Sequence, residues 1–260
     1  YSTSVEFDNE GTLFIAEAGY SYGDSSVVPR ILKMNERDQL EEVTRDLEGP
    51  VTDLLWHGGK MYVSHRGKIS VIENGMVRDL VVGLPSDGDH HNNQMSVGPD
   101  GMIYFGQGTA TNSGVVGPDN YRMGWLQDNP QFHDLPAQDI TLRGQTFTSD
   151  NPLTEDLQDQ ATTGAFQPFG STDEQTVPGV LKASGTILRM NGDGSGLEVY
   201  AWGLRNPYGV LWTPEGKLYA TENGFDDRGS RPIANDKEDL YLIRQGAWYG
   251  WPDFGSGQPI

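Results

Sequence analysis

The chain contains no cysteine. That excludes disulfides, thiolate metal sites and a cysteine nucleophile. Basic residues are scarce: 18 Lys and Arg face 37 Asp and Glu, giving a formal net charge of −19. Nucleic-acid binding works by neutralising phosphates with Lys and Arg, so a nucleic-acid partner is excluded. A neutral ligand such as a sugar tolerates this field, and a polyanion does not. Long apolar runs are also missing. None approaches the ~18 residues of a membrane span, so no membrane-spanning helix is expected. The sequence starts at Tyr1, already in a strand-like pattern and without Met or a targeting signal, so a removed or omitted N-terminal segment is expected. No stretch carries the long 3.6-residue period of an amphipathic helix.

Turn formers are plentiful instead, with 34 Gly and 15 Pro. Four segments share one pattern of apolar strand, tight turn ending in Gly, and second strand: 5–16, 54–63, 95–105 and 210–220. The turn glycines are Gly11, Gly59, Gly101 and Gly216. A Gly closing a polar turn suits a hairpin residue whose φ must be positive. The first two intervals between these glycines are 48 and 42 residues, which suits a propeller blade of about 40–50 residues. The third is 115 residues, too long for a plain blade. The excess lies at about 108–184, a Gly-, Pro-, Asn-, Asp- and Gln-rich stretch without sustained period. Trp125, Phe132, Phe147, Phe166 and Phe169 give it apolar anchors, and so long an excursion in a compact domain is usually functional. Further strands are expected at 68–72, 185–190, 197–202 and 239–243. The expected fold is all-β: a β-propeller, of which this chain covers roughly four blades. Because 248–252 ends without a closing strand partner and proteins avoid open sheet edges, residues 1–260 are read as one partial propeller domain.

Three polar clusters could carry chemistry. Asp87-Gly88-Asp89-His90-His91-Asn92-Asn93-Gln94 directly precedes the third repeat, a position at one end of a propeller's central channel. A His beside an Asp is the minimal kit for a general base, since the imidazole takes a proton near neutral pH and the carboxylate favours its charged form. A polar loop with a structural Asp turn would show the same residues. Adjacent side chains on an extended chain point apart, so His90 and His91 are not expected to act together. Gly203-Leu204-Arg205-Asn206-Pro207 holds the equivalent place before the fourth repeat and should face the same mouth. Arg205 brings a fixed charge and a donor fork suited to a carboxylate or oxyanion, or a purely structural role. Glu222-Asn223-Gly224-Phe225-Asp226-Asp227-Arg228-Gly229, followed by Asp236, Glu238 and Asp239, has the oxygen-ligand density that suits Ca²⁺, or is an acidic solvated loop. Asn191–Gly196 reads as a hairpin turn.

The segments Gly83-Leu84-Pro85-Ser86, Asp89-His90, Gly98-Pro99-Asp100, Gly203-Leu204-Arg205-Asn206-Pro207, Glu222-Asn223-Gly224 and Tyr249-Gly250-Trp251-Pro252 follow one another in the order and approximate spacing of the glucose/sorbosone dehydrogenase family. The chain resembles that family over nearly its whole length, with an excursion like that of the branch often labelled sorbosone dehydrogenase. The resemblance implies a six-bladed propeller that uses pyrroloquinoline quinone (PQQ) and Ca²⁺ to oxidise an aldose or related sugar. It further implies an external electron acceptor and a periplasmic or extracellular setting. Position by position, it implies His90 as the base on the sugar C1 hydroxyl and Asp89 as the carboxylate orienting it. It implies Arg205 and Asn206 beside the quinone, with Arg205 stabilising charge on the reacting oxygen. The carbonyls of Gly224 and Phe225 would hold the catalytic Ca²⁺, and Asp239 and Tyr249 match the region of a structural Ca²⁺. The alternatives are a non-catalytic propeller binding glycans or proteins, and a Ca²⁺-dependent lactonase, which the Arg205-Asn206 motif at the mouth suits poorly.

Overall fold

The structure, a computed structural model, describes residues 1–19, 27–143, 145–172 and 176–260. It is a propeller of four blades. The first comprises β1 (Ser2–Phe7), β2 (Leu13–Glu17), β3 (Arg30–Met34) and β4 (Leu40–Thr44). The second comprises β5 (Val51–His57), β6 (Lys60–His65), β7 (Lys68–Glu73) and β8 (Met76–Val81). The third opens with β9 (Asn92–Val97) and β10 (Ile103–Gln107).

There the chain leaves the sheet for the excursion. It passes through helices α1 (Pro118–Arg122) and α2 (Trp125–Asp128), then β11 (Ile140–Thr141), β12 (Thr146–Asp150), β13 (Gln160–Gly164) and β14 (Thr176–Val177). It returns as β15 (Thr186–Met190) and β16 (Glu198–Trp202), and β15 pairs directly with β10. The excursion is therefore an insertion between the second and third strands of one blade, which accounts for the long interval between turn glycines. It holds more regular structure than its sequence suggests. The five-residue β12–β13 hairpin alternates exposed and partly buried residues, but is too short and polar to register as a period. Gly144 and 173–175, inside the excursion, lie outside the described residues. The fourth blade is β17 (Pro207–Trp212), β18 (Leu218–Glu222) and β19 (Asp239–Ile243). A last ribbon pairs β20 (Phe254–Gly255) with β21 (Gln258–Pro259).

The four turn glycines sit at φ between 75° and 82°, the left-handed region that a Cβ disfavours. Strand alternation then distributes the core. On β10, Ile103 and Phe105 pack toward the second blade with Tyr62, Leu188 and Met190, while Tyr104 between them packs toward the fourth with Ile187, Val210 and Leu218. One strand thus supplies both inter-blade cores, because successive side chains leave a sheet on opposite faces. Each such residue contributes about 1.5–3 kcal/mol by leaving water.

The first strands of the blades lie innermost, with β1 beside β5, β5 beside β9 and β9 beside β17. Polar bonds stitch them together. Asp53 on β5 accepts from Ser4 Oγ (2.8 Å) and from the Met95 N–H (2.8 Å), joining three blades through one buried carboxylate. Burial pushes its pKa up to about 6. Among the described residues no helix is long and apolar enough to cross a membrane.

Candidate active site

The site forms where the ends of inner strands continue past the sheet. The Asp89 N–H donates to Ala110 O, the His90 N–H to Thr109 O and the Gly108 N–H to His91 O, at 2.9–3.0 Å. The β9–β10 ladder is therefore prolonged by one turn of the loops. Thr109 in turn donates its N–H to Arg205 O (2.9 Å), which adds the start of the fourth blade as a third segment. Gly108 permits this approach: a Cβ there would clash with His90 Cβ and lie 2.6 Å from Asn206 Oδ1.

Both His90 and Arg205 thus reach one end of the inner strands. His90 Nδ1 lies 3.1 Å from Thr109 O and 3.2 Å from Thr109 Oγ1. A carbonyl only accepts, so Nδ1 carries the proton and Nε2 holds the free lone pair. Nε2 stands 3.8 Å from Asp89 Oδ2. Burial, reinforced by the Arg205 charge, holds the His90 pKa well below its ordinary value, so the ring is neutral near pH 7. His91 turns the other way. Its Nδ1 faces Ser86 O at 3.1 Å, and burial together with Arg66 brings its pKa down to about 4.

Arg205 is 3% exposed. Its Nε donates to Asn112 O (3.0 Å), and its Nη2 donates to Asn112 Oδ1 and Asp226 Oδ2 (both 2.9 Å) while standing 3.6 Å from Asp89 Oδ2. Arg228 completes the cluster. It pairs with Asp89 through Nη2, with Asp119 Oδ2 through Nη1 (2.6 Å) and with Asp226 Oδ2 through Nε (3.1 Å). Two guanidiniums therefore face three carboxylates at the mouth. Desolvation raises the pKa of Asp89 despite both cations.

A chain of amides runs alongside. Asn93 Nδ2 donates to Asn206 Oδ1, Asn206 Nδ2 to Asn223 Oδ1, and Asn223 Nδ2 to Glu238 Oε2, each at 2.7 Å. Glu222 accepts from the N–H groups of Arg205 and Asn206. Burial pushes its pKa up to about 8, and its Oε2 is buried without a hydrogen-bond partner.

The four residues matched to metal sites lie together beside Arg205. Gly224 and Phe225 follow the end of β18, so the β18–β19 ladder stops before them, and the Phe225 N–H donates to Asp236 Oδ2 (2.9 Å). Asp239 is the cross-strand partner of Glu222 and accepts from Tyr241 Oη (2.9 Å). The Tyr249 hydroxyl donates to Leu242 O (2.7 Å) and accepts from the Arg244 N–H (2.8 Å). Among the described residues no three His, Cys, Asp or Glu side chains converge closely enough to hold a metal. A cation here would therefore rest largely on backbone carbonyls.

The sequence reading missed Thr109, Asn112 and Asp119, which come from the excursion, where no period fixes a register. Arg228 was in view, but inside a cluster read for its oxygens. Asp226, counted there among Ca²⁺-suited groups, instead accepts from both arginines.

The fold and this site define a four-blade propeller with a His–Asp–Arg cluster at one end of its inner strands. Residues 170–259 match the family model described as Glucose / Sorbosone dehydrogenase, in line with the resemblance carried by the motifs. Quinoprotein glucose dehydrogenase B of Acinetobacter calcoaceticus is 27% identical over 180 residues, 67% of this chain and 28% of that protein. Two solved structures share the fold, each 18% identical. The PQQ-bound aldose sugar dehydrogenase of Streptomyces coelicolor aligns with TM-score 0.56 over 99% of this chain and 66% of its own. An oxidoreductase of Thermus thermophilus, described as a glucose dehydrogenase, aligns with TM-score 0.57 over 98% and 64%. The chain thus spans about two thirds of these two structures and about a quarter of the curated relative.

Proposed function

We propose that the chain carries the base-bearing part of a PQQ-dependent dehydrogenase that oxidises an aldose or related sugar and passes electrons to an external acceptor. The observation that supports this reading is the convergence of Asp89, His90 and Arg205, from two different blades, with Asp89 Oδ2 3.8 Å from His90 Nε2 and 3.6 Å from Arg205 Nη2. The donor chemistry suits the cofactor: the guanidiniums of Arg205 and Arg228 and the amides of Asn206 and Asn223 are groups that bind carbonyl and carboxylate oxygens, and they would do so through N–H groups beyond those given to Asn112, Asn223, Glu238 and the three aspartates. Arg205 and Asn206 would hold the quinone, which when bound supplies the acceptor for the sugar's hydride. The carbonyls of Gly224 and Phe225 would hold Ca²⁺ next to it, with Asp239 and Tyr249 in the region of a second, structural Ca²⁺.

His90 is the catalytic base in this reading. Its neutral Nε2 takes the proton of the sugar C1 hydroxyl, and Asp89 lowers the cost of the resulting imidazolium. The hydrogen bond from Nδ1 to Thr109 fixes the tautomer, so the lone pair is already aimed. Arg205, positioned by Asn112 and Asp226, would supply positive charge to quinone oxygen atoms that gain negative charge. Four blades belong, in this reading, to a six-bladed ring of which 1–260 is one partial domain, in a periplasmic or extracellular setting.

The lactonase alternative is not favoured, because the Glu222 carboxylate accepts from the Arg205 and Asn206 N–H groups. The test is titration of PQQ into the full-length protein that carries these four blades, with Ca²⁺, followed by absorbance and by dye reduction with aldoses. Saturable binding with sugar-dependent dye reduction is expected. Binding without reduction across aldoses overturns the enzymatic reading, and absence of binding overturns the cofactor.

A further inference from the structure

A cavity of about 610 Å³ lies between the excursion and the outer part of the third and fourth blades. That size is within the ~300–1,000 Å³ range of ligand pockets. Its walls are unusually aromatic. Trp202 at the end of β16 and Trp248 bring their rings to 6.0 Å, and Phe166 meets Trp251 edge to face at 5.6 Å. Trp248 keeps 44% of its surface exposed, yet its position is built. Gly203 lies beneath the indole, where a Cβ would clash with Trp248 Cδ1. A backbone bridge also joins Trp202 to Trp248. Trp251 is the partition from the mouth: its Nε1–H donates to Asn112 O (3.3 Å), the atom that also receives Arg205 Nε, while its ring lines the cavity.

Three charged side chains line this aromatic box: the exposed Arg143, and Arg231 with Asp253. The Arg231 guanidinium, buried and stacked over Phe147 at 5.3 Å, has long polar contacts: 3.5 Å to Ser113 O and 3.6 Å to Asp253 Oδ1. Good N–H···O bonds run about 2.7–3.2 Å, so this buried cation retains donor capacity toward the cavity. An apolar ligand would leave that capacity unmet, which is costly. An anionic ligand would gain from Arg143 and Arg231 but would have to sit against Asp253 in a molecule of net charge −19. A hydroxyl both donates and accepts, so vicinal hydroxyls can bridge Arg231 and Asp253. The ring C–H groups beneath them carry partial positive charge that suits the negative face of an indole.

We infer that this cavity is a binding site for neutral carbohydrate, distinct from the mouth, in which Trp248 stacks against a sugar ring and Arg231 with Asp253 holds its hydroxyls. The inference does not depend on catalysis at the mouth. The test is calorimetric titration of the 260-residue protein, without quinone, against cellotriose, maltotriose, xylotriose and glucuronate. At least one neutral trisaccharide is expected to bind saturably at millimolar concentration and to quench tryptophan fluorescence, with glucuronate weaker. Trp248→Ala should weaken binding by at least about tenfold. Asp253→Asn, at a side chain 64% exposed and therefore safe for folding, should weaken it severalfold, and Trp56→Phe on the second blade should leave it unchanged. If Trp248→Ala fails to fold, Asp253→Asn decides. No binding by any of the three trisaccharides, tighter binding of glucuronate, or unchanged affinity in Asp253→Asn overturns the site.

Discussion

His90 and Thr109 meet across two prolonged strand ends: the His90 N–H and its Nδ1 both address the Thr109 carbonyl, at 3.0 and 3.1 Å. This double contact fixes the ring plane and leaves Nε2 as the lone-pair nitrogen beside Asp89. Replacing His90 with Ala should lower quinone-dependent sugar oxidation by about 10²–10⁴-fold, the usual contribution of a general base, with little change in quinone affinity. His91→Gln is the internal control, because Gln can still donate to Ser86 O and the ring it replaces points away. Its turnover should stay within a fewfold of the parent. Dye-linked rates for both variants check this, and equal losses would mean that the loop matters only for folding.

Asp226 holds Arg205 and Arg228 by single acceptor contacts at 2.9 and 3.1 Å. Its side chain is 54% exposed, so solvent screens the pairing to roughly 0.5–1 kcal/mol. Asp226→Asn should fold normally and bind anionic quinone a fewfold more tightly, since one of three competing carboxylates is gone. Arg205→Ala should weaken quinone binding and lower stability by about 1–3 kcal/mol, because the buried Asn112 oxygens lose a donor while Asp89 keeps Arg228. Fluorescence-monitored quinone titration and urea melts separate the two effects.

Asp134 closes the excursion on itself. It is fully buried and accepts from the Ala110 N–H (2.6 Å) and the Thr111 N–H (3.1 Å), while the next residue, Leu135, donates to Ser184 Oγ (3.1 Å). Burial pushes the Asp134 pKa up to about 6. A raised folded pKa adds stability that is complete below the unfolded value of 3.8 and is lost as pH rises through about 6. His91 has the opposite sign: its pKa of about 4 gives stability that is present above 6.5 and lost as pH falls toward 4. Asp134→Asn should cost about 1–3 kcal/mol and make the decline between about pH 4 and 6 shallower, Asp53 keeping its share, whereas His91→Gln should reduce the acid-side loss that His91 shares with His90. Denaturation midpoints from about pH 4 to 8 read both slopes.

Gly108 lies between His90 Cβ and Asn206 Oδ1, and no side chain fits there. Gly108→Ala should force the two blades apart at the mouth and cost about 1–3 kcal/mol, as overpacking does. Activity should fall further than stability accounts for, because the added methyl displaces His90 itself. Comparing turnover with melting temperature for Gly108→Ala and for Gly101→Ala, where a Cβ meets nothing within 4 Å, isolates the geometric effect. A matching loss of activity in both would remove Gly108 from the site.

The sequence by itself determined the blades, the hairpins and the ends of the inner strands. Each depends on local physics: a Gly at positive φ closing a polar turn, and apolar residues alternating with a period of two. Those local signals placed Asp89-His90 and Arg205 at corresponding points of successive blades, and with them the mouth. Only the tertiary structure decided what surrounds those residues. Arg228 reaches Asp89 across 139 positions of sequence, and Arg205 reaches Asn112 across 93. No periodicity links such partners: Asp89 and Arg228 stand in loops before β9 and after β18, and Asn112 in an excursion that follows its own short ribbons and helices rather than the strand repeat. The protonated nitrogen of His90 and the aromatic cavity behind Trp251 are set by where that insertion comes to rest on the blades, and the sharing of two arginines among three carboxylates by the meeting of the loops before β9 and after β18 with Asp119 of the insertion.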